Sequence, residues 1–493
     1  MIALPILWPL LCAALLLVLP DGRAQRWVSV AACSVQLAIT IVLLGLADQD
    51  QPVVELAGNW PAPYGIALVL DRLSALLLLL TAFLGLIVAL AAGSGLDRRG
   101  RHFHALLQFQ LMGLSGAWLT ADLFNLFVWF ELLLIASYAL LLHGAGGAQV
   151  RAGLRYVVYN LIGSALFLIA LALIYASAGT LNLADLARVL PDLPSAAANL
   201  TRVGLALLLL VYAIKAALLP LSFWLPGSYG AAPTLVAALF ALMTKVGVYA
   251  LLRVLTALQG ADPGLAGLAA LLYTAGLVSL LVASLGALTA ASLRGLAAHW
   301  ILASAGLLVA SAASGQSAAY AAALYYLLQT TLVAAAAYAL VDALARARGG
   351  AGDRLDQRGP LRASRTLVLA LALLLMAGAG LPPLPGFLAK VLLLQAIGDP
   401  WLWAAIVLSS ALMLIASARA YSQWLWNHAP APAAPPVSAG WPALLLLAAL
   451  GAASLGATPV HRYLAATAAQ LGAAPSLQST VLDHPTLPRL EIR

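Results

Sequence analysis

Residues 203–226 read VGLALLLLVYAIKAALLPLSFWLP, and the fold follows from how that stretch is taken. It is apolar over a bilayer-crossing length of about 20 residues, yet Lys215 lies near its middle, with Pro220 and Pro226 around LSFW toward its end. An ionisable side chain at bilayer depth costs about 2.5–3.5 kcal/mol on insertion scales, so it reads by default as functional. Snorkelling would take the ammonium to the headgroups. From Lys215 that is roughly ten residues of helix, or about 15 Å, beyond a lysine's reach. Each proline removes an amide donor and clashes with the preceding turn. In hydrocarbon the freed carbonyls need other partners, so such a break persists where it faces protein or a watery cavity. The stretch therefore reads as a broken spanning helix around a buried amine.

The pattern recurs. All three lysines of the chain lie inside apolar runs, Lys245 in LVAALFALMTKVGVYALLRVL (235–255) and Lys390 in TLVLALALLLMAGAGLPPLPGFLAKVLLL (366–394). The second run is interrupted by Pro382, Pro383 and Pro385. Glu131 is likewise mid-stretch, in LFNLFVWFELLLIASYALLL (123–142). With 63% hydrophobic and 9% charged residues, the chain is read as an integral, all-α polytopic membrane protein. Counting apolar runs gives about fourteen transmembrane helices. The formal charge of +8 comes from loop arginines and does not point to nucleic acid. Ile2–Leu19 precedes the first basic residue, Arg23, and so reads as a spanning helix rather than a cleaved signal. Arginine-rich loops (Arg23/Arg26, Arg98–Arg101, Arg151/Arg155, Arg294, Arg346–Arg365) alternate with poorer ones, such as that holding Asp48, Asp50 and Glu55. The arginine-rich set is expected to be cytoplasmic, with both termini outside. A bacterial inner membrane is the expected location.

The broken helices reveal a repeat. With the fourth to eighth spans as one unit and the ninth to thirteenth as another, the break falls in the fourth member of each. An odd number of spans makes the second copy enter from the opposite side, the inverted-repeat plan of transporters. The organisation expected is 1–104, an N-terminal three-helix segment with an extracellular hairpin at GNWPAPYGI; 105–256 and 257–427, the two five-helix repeats; and 428–493, a linker, a last helix and a tail. The loop Arg346–Arg365 is expected to be flexible, Asn427–Gly440 a proline-rich spacer, and the tail after Leu455 irregular.

One carboxylate cannot neutralise three buried amines. Desolvation disfavours a charged amine and an adjacent carboxylate restores it, so Glu131 can keep at most one or two lysines charged. That suits a stepwise proton relay through Glu131, Lys215, Lys245 and Lys390. His299 could bridge Lys245 and Lys390, or sit at the cytoplasmic surface. Ser222, Thr244, Gln329, Thr330 and Tyr325 are candidate water-holders, although membrane helices carry such residues for packing too. His143 reads as interfacial, Asp342 as exposed, and Arg419 carries no assigned role. No phosphate-cradling glycine loop, metal-type Cys/His cluster, quinone or haem signature is seen, so neither metal nor other cofactor is expected.

At these residues the chain resembles the antiporter-like membrane subunits shared by multisubunit Mrp-type (Pha-type) cation/proton antiporters and respiratory complex I, the D-type Mrp subunits above all. The likeness is carried by TADLFNLFVWFELLLIASYALLLHG (120–144), IKAALLPLSFWLPGSYGAAPTLVAALFALMTKVGVYALLRV (214–254), GLPPLPGFLAKVLLL (380–394) and GNWPAPYGIALVLDRLSALLLLLTA (58–82). The resemblance implies that Glu131 matches the family's fifth-helix glutamate, and Lys215, Lys245 and Lys390 its seventh-, eighth- and twelfth-helix lysines. It also implies a fold of fourteen helices with two inverted repeats. The implied activity is sodium or potassium efflux coupled to proton entry, inside a hetero-oligomer of membrane subunits. Two positions depart from the pattern: Ala298 stands where tyrosine is usual, and Gln329 where histidine is usual. Glutamine cannot titrate, so the link from Lys245 to Lys390 is expected to run through water.

The reading that follows is a proton-translocating subunit of a monovalent cation/proton antiporter, a transporter rather than an enzyme. The alternatives are a proton-pumping subunit of complex I or a membrane-bound hydrogenase, and an inactive scaffold. Iron–sulfur and flavin genes next door would favour the redox complex. The scaffold would keep four buried charges at a cost with no return.

Overall fold

Polar caps set where the helices start. The Asp71 carboxylate accepts from the Ser74 amide while the Ser74 hydroxyl accepts from the Asp71 amide, a capping box. Asp122, Ser292, Ser364 and Asp399 cap later helices in the same way with one side chain each. The computed structural model describes residues 1–20, 22–49, 51–144, 146–429 and 435–484. Asp50 and part of the proline-rich spacer, residues 430–434, lie outside the described residues.

The first helices are α1 (Leu4–Val18), α2 (Arg23–Ala47), α3 (Arg72–Ala92), α4 (Phe103–Leu119), α5 (Leu123–Leu141), α6 (Gly147–Ala178) and α7 (Leu183–Val189). The middle of the chain forms α8 (Ser195–Lys215), α9 (Trp224–Ala231), α10 (Thr234–Phe240), α11 (Met243–Ala257), α12 (Gly264–Thr289), α13 (Leu293–Ala313) and α14 (Ser317–Arg348). Then come α15 (Arg365–Ala379), α16 (Pro385–Ala396), α17 (Pro400–Trp426), α18 (Trp441–Leu455), α19 (Ala457–Gly472) and α20 (Ala474–Leu482). A hairpin precedes α3: β1 (Val53–Leu56) pairs antiparallel with β2 (Ala67–Leu70), Val53 opposite Leu70.

The chain is mostly helical, and ten of the described helical stretches are long and apolar enough to cross a membrane, with α10 and α11 taken together. The others fall short for local reasons. α1 has only 15 residues, and α15 and α16 are the two arms of the PPLP break. The pair α10–α11, taken together, is buried along its whole tested length, and α13 and α14 along most of theirs, whereas α6, α12 and α17 expose much of their surface. Lys245 and its neighbour α13 thus lie at the centre, while α6 and α17, which face Lys215 and Lys390, lie toward the periphery.

Two expectations fail. The tail after Leu455 is not irregular: α18 bends by 80° into α19, and α20 follows. Tyr463 of α19 donates to the Arg72 carbonyl (3.0 Å), and the Arg72 amide donates to Gln470 (3.0 Å). A polar helix face with tertiary partners at the far end of the chain leaves no signal in apolar run length. Nor is Arg346–Arg365 a loose loop. Arg348 is fully buried, and its guanidinium donates to the carbonyls of Arg354, Gln357 and Asn427, which folds the segment onto α14.

The same end of the bundle as Arg72 holds a buried ion pair, Asp71 with Arg253 of α11, whose Nη2 lies 2.6 Å from Oδ1. Arg253 lies 5.0 Å from the Tyr249 ring centroid, and the Tyr249 hydroxyl donates to the Trp118 carbonyl (2.6 Å). Burial pushes the Asp71 carboxyl up, but Arg253 and the Ser74 amide more than reverse this, leaving it below the usual carboxylate range. Its contribution to stability is therefore present above the ordinary pKa of about 3.9 and is lost as pH falls through the lower folded value. Asp71→Asn would strand a buried guanidinium at a cost of about 3–5 kcal/mol. We expect a markedly lower thermal unfolding temperature for the purified complex. An unchanged one would mean that Arg253 finds another partner.

Candidate functional site

Lys215 is the last residue of α8. Beyond it the chain turns through Ala217 at φ +59° and the Pro220 break before α9 begins. A cation at a helix C-terminus is favoured by the partial negative charge of the last carbonyls. The side chain, 4% exposed, enters a groove on α6. Its Nζ lies 3.4 Å from the Asn160 carbonyl, 3.5 Å from Asn160 Oδ1 and 3.4 Å from Ser164 Oγ. The Asn160 amide is oriented by donating to the Tyr156 carbonyl (2.8 Å), which leaves its oxygen for the amine. Ser164 in turn donates to Glu131 of α5. Carboxylate and amine thus meet through a hydroxyl. Glu131 is half-buried rather than enclosed, since its helix turns Leu132 and Ile135 outward.

Lys245, 1% exposed, also follows a discontinuity: α10 ends at Phe240 and α11 starts at Met243. No proline or glycine announces this step. Its Nζ donates to Ser304 Oγ of α13 (2.6 Å), and the Ser304 hydroxyl donates to the Ile301 carbonyl (2.7 Å). Two residues on, Gly247 faces the end of α8, where an added Cβ would lie 2.6 Å from the Ala216 nitrogen. Only glycine lets the backbones carrying Lys215 and Lys245 approach this closely. Thr244 is buried beside Lys245, with no hydrogen-bond partner for its hydroxyl among the described residues.

Lys390 reaches back across its own break. Its Nζ lies 3.4 Å from the carbonyl of Ala379, the last residue of α15, and 2.9 Å from Ser410 Oγ of α17. Gly380, at φ +74°, makes this contact feasible, since an added Cβ would lie 2.9 Å from the amine. A second carbonyl at the break, Ala377, accepts from both the Gly380 amide (3.1 Å) and the Gln329 side chain of α14 (3.1 Å), so backbone and side chains together satisfy this end of α15. A cavity of about 20 Å³ lies here, lined by Lys390, Gln329, Thr330, Trp300 and Ser409 among others. It has room for about one water molecule. Gln329 Oε1 and Trp300 Nε1 have no protein partner among the described residues. Ala303 lines the same cavity while Ser304, the next residue, holds Lys245, so α13 is the shared wall.

The other candidates separate. Gln329 and Thr330 border the Lys390 cavity. Ser222 is buried in the α8–α9 break. Tyr325 does not join them: its hydroxyl donates to the Ala453 carbonyl of α18 (2.9 Å), and it is Tyr326, one residue on, that lines the cavity. The His299 ring makes its hydrogen bond with the Gly295 carbonyl (2.8 Å) and packs on Gly286 of α12, outside the hydrogen bonds of either lysine. His143 is at the end of α5, with Nε2 3.1 Å from the Leu96 carbonyl. Arg419 donates to the Ala290 carbonyl (2.7 Å). Asp342 is half-buried, not exposed, and accepts from Thr234 at the start of α10 (2.7 Å).

Sequence reading missed Asn160, Ser164, Ser304 and Ser410. Small hydroxyls are scattered along apolar helices, and only tertiary packing selects those that meet an amine. Each of the three lysines has one such serine, and a hydroxyl both donates and accepts. Ser164→Ala should cut proton flux about tenfold, whereas Ser164→Thr should retain most of it. Equal rates for alanine and wild type in proteoliposomes would show the hydroxyl to be a bystander.

Comparison with known proteins agrees with this architecture. Residues 120–416 match the family described as NADH:quinone oxidoreductase/Mrp antiporter, transmembrane. A probable K(+)/H(+) antiporter subunit of the D type, from Rhizobium meliloti (strain 1021), is 37% identical, covering 98% of each chain. The D-type Na(+)/H(+) antiporter subunit of Bacillus subtilis (strain 168) is 34% identical over 87% of each. Among solved structures, a chain of the Mrp complex from Dietzia sp. DQ12-45-1b superposes with a TM-score of 0.88 at 26% identity, covering 98% of this chain and 99% of that one.

Proposed function

The chain belongs to the NADH:quinone oxidoreductase/Mrp antiporter transmembrane family, and from that premise we propose that it is the proton-translocating subunit of a multisubunit Na+ or K+/H+ antiporter in a bacterial inner membrane. The D-type relatives are named as subunits of antiporters, and a solved neighbour is a chain of an Mrp complex, which supports a transporter subunit within a multisubunit membrane complex. The observation that carries the reading is the series of three buried amines, each bonded to a serine hydroxyl, with a single carboxylate at one end. Counting each broken helix as one crossing, we read fourteen transmembrane passes with inverted repeats over 105–256 and 257–427. In both repeats a lysine is held at the C-terminal end of a broken half-helix.

Protons move stepwise. While Ser164 links Lys215 to Glu131, the carboxylate stabilises the protonated amine. When the two separate, Lys215 gives its proton to Lys245 across the Gly247 contact. Lys245 passes it along the α13 wall to Lys390, with water in the Gln329 cavity taking the place of a titratable bridge. A redox-driven relative would use the same relay, and the family description names both kinds of assembly. Identity of 37% with an antiporter subunit, over 98% of both chains, supports the transporter.

The test is flux in vesicles carrying the complete set of subunits. We expect proton movement on adding Na+ or K+, with one of the two clearly preferred, and none from this subunit alone. Proton pumping that needs an electron donor and ignores both cations would replace the antiporter with the redox-driven reading.

A further inference from the structure

The arginine-rich end of the molecule holds a second cavity, of about 490 Å³, which the relay does not use. One wall is the start of α2, with Gly22, Arg23 and Arg26; another is the α3–α4 connection, with Arg98, Arg99 and Arg101. Asp97 is the acid among the described lining residues, and it is engaged by Arg26 (2.6 Å). Counting the sequence neighbour Asp21 as a second acid still leaves three guanidinium groups in surplus. The inner wall is His104, 2% exposed, whose Nε2 lies 3.6 Å from Asp97 and whose Nδ1 has no hydrogen-bond partner among the described residues. α2 begins at Arg23 after Gly22, whose lack of a side chain leaves the cap position without one, so the positive end of a 25-residue helix opens here as well.

The depth of the mouth identifies what reaches it. Trp27, one residue past Arg26, is 64% exposed, and Val18 at the end of α1 is 84% exposed. An exposed indole beside arginines, with an apolar helix end alongside, marks the level where acyl chains meet headgroups. Guanidinium groups pair phosphate oxygens through two parallel hydrogen bonds, and basic pockets between helices at this level suit anionic headgroups.

We infer that this cavity binds the phosphate group of an anionic phospholipid, clamped by Arg23, Arg98 and Arg99 over His104. The chemistry recognised is a phosphate ester; free inorganic phosphate shares it and serves as the competing source. The site is independent of the proton relay, so it stands or falls apart from the transport reading.

The experiment uses the complete complex, exchanged into detergent with phosphatidylglycerol, phosphatidylcholine or inorganic phosphate. Thermal unfolding and native mass spectrometry are the readouts. We expect phosphatidylglycerol alone to raise the unfolding temperature and to remain bound through the detergent wash. Arg98→Gln with Arg99→Gln should lower the retained fraction about tenfold, while Arg358→Gln with Arg365→Gln, exposed arginines ahead of and at the start of α15, should not. Equal retention of phosphatidylglycerol and phosphatidylcholine by the wild-type complex would overturn the site, whatever the variants do. Stabilisation by inorganic phosphate to the same extent would overturn the lipid source.

Discussion

Lys245→Ala is expected to abolish cation-driven proton uptake, to below about a hundredth of the wild-type rate, while the complex still assembles. Both halves of this outcome follow from the surroundings of Lys245. The amine hydrogen-bonds to Ser304, whose hydroxyl donates to the Ile301 carbonyl, so removing the amine strands no charge and leaves the serine's donor satisfied. What remains is a small cavity beside Thr244, at a stability cost of about 2–3 kcal/mol by analogy with large-to-small core changes. Transport has no such slack. Lys245 lies between the α8 end that carries Lys215 and the α13 wall that borders the Lys390 cavity. The described residues between them offer hydroxyls and an amide, none of which gains or gives up a proton near neutral pH. Dye-quench assays in proteoliposomes, with native gels for assembly, read the two outcomes separately. Wild-type flux from the assembled variant would remove Lys245 from the relay.

Lys215→Arg should fail almost as completely, although it keeps the charge. A guanidinium does not deprotonate at working pH, so a proton could be attracted to the position but not released from it. Glu131→Ala removes the carboxylate that Ser164 connects to the amine and should stop transport through the same step. The comparison that decides is arginine against alanine at position 215. Flux from arginine with none from alanine would mean that Lys215 serves as a fixed charge, and the stepwise scheme would have to go.

The buried charges were legible in the sequence because hydrocarbon makes them expensive. Three lysines and a glutamate inside apolar runs stand out against a background that tolerates almost none. The PPLP break was legible because proline has a stereochemical signature. The α10–α11 step at Ala241–Leu242 was not, since neither residue dictates a backbone conformation. The serines were invisible for another reason. Ser304 and Ser311 lie on one helix in similar apolar settings, yet only Ser304 meets an amine, while Ser311 bonds back to its own helix. Tyr325 and Gln329 show the same limit: both are polar groups on α14, but one turns to α18 and the other to Lys390. Helical phase relative to neighbouring helices is a property of the packed bundle.

The clasp between α19 and Arg72 has a bearing on biogenesis. Arg72 follows the residue that pairs with Arg253, and its backbone is bonded by Gln470 and Tyr463, nearly 400 positions downstream. A ribosome delivers the first helices long before that clasp can close. Until the final segment emerges, the beginning of the third helix is without two of its native bonds. A prematurely terminated product therefore presents an unfinished edge that membrane proteases can tell from the completed subunit.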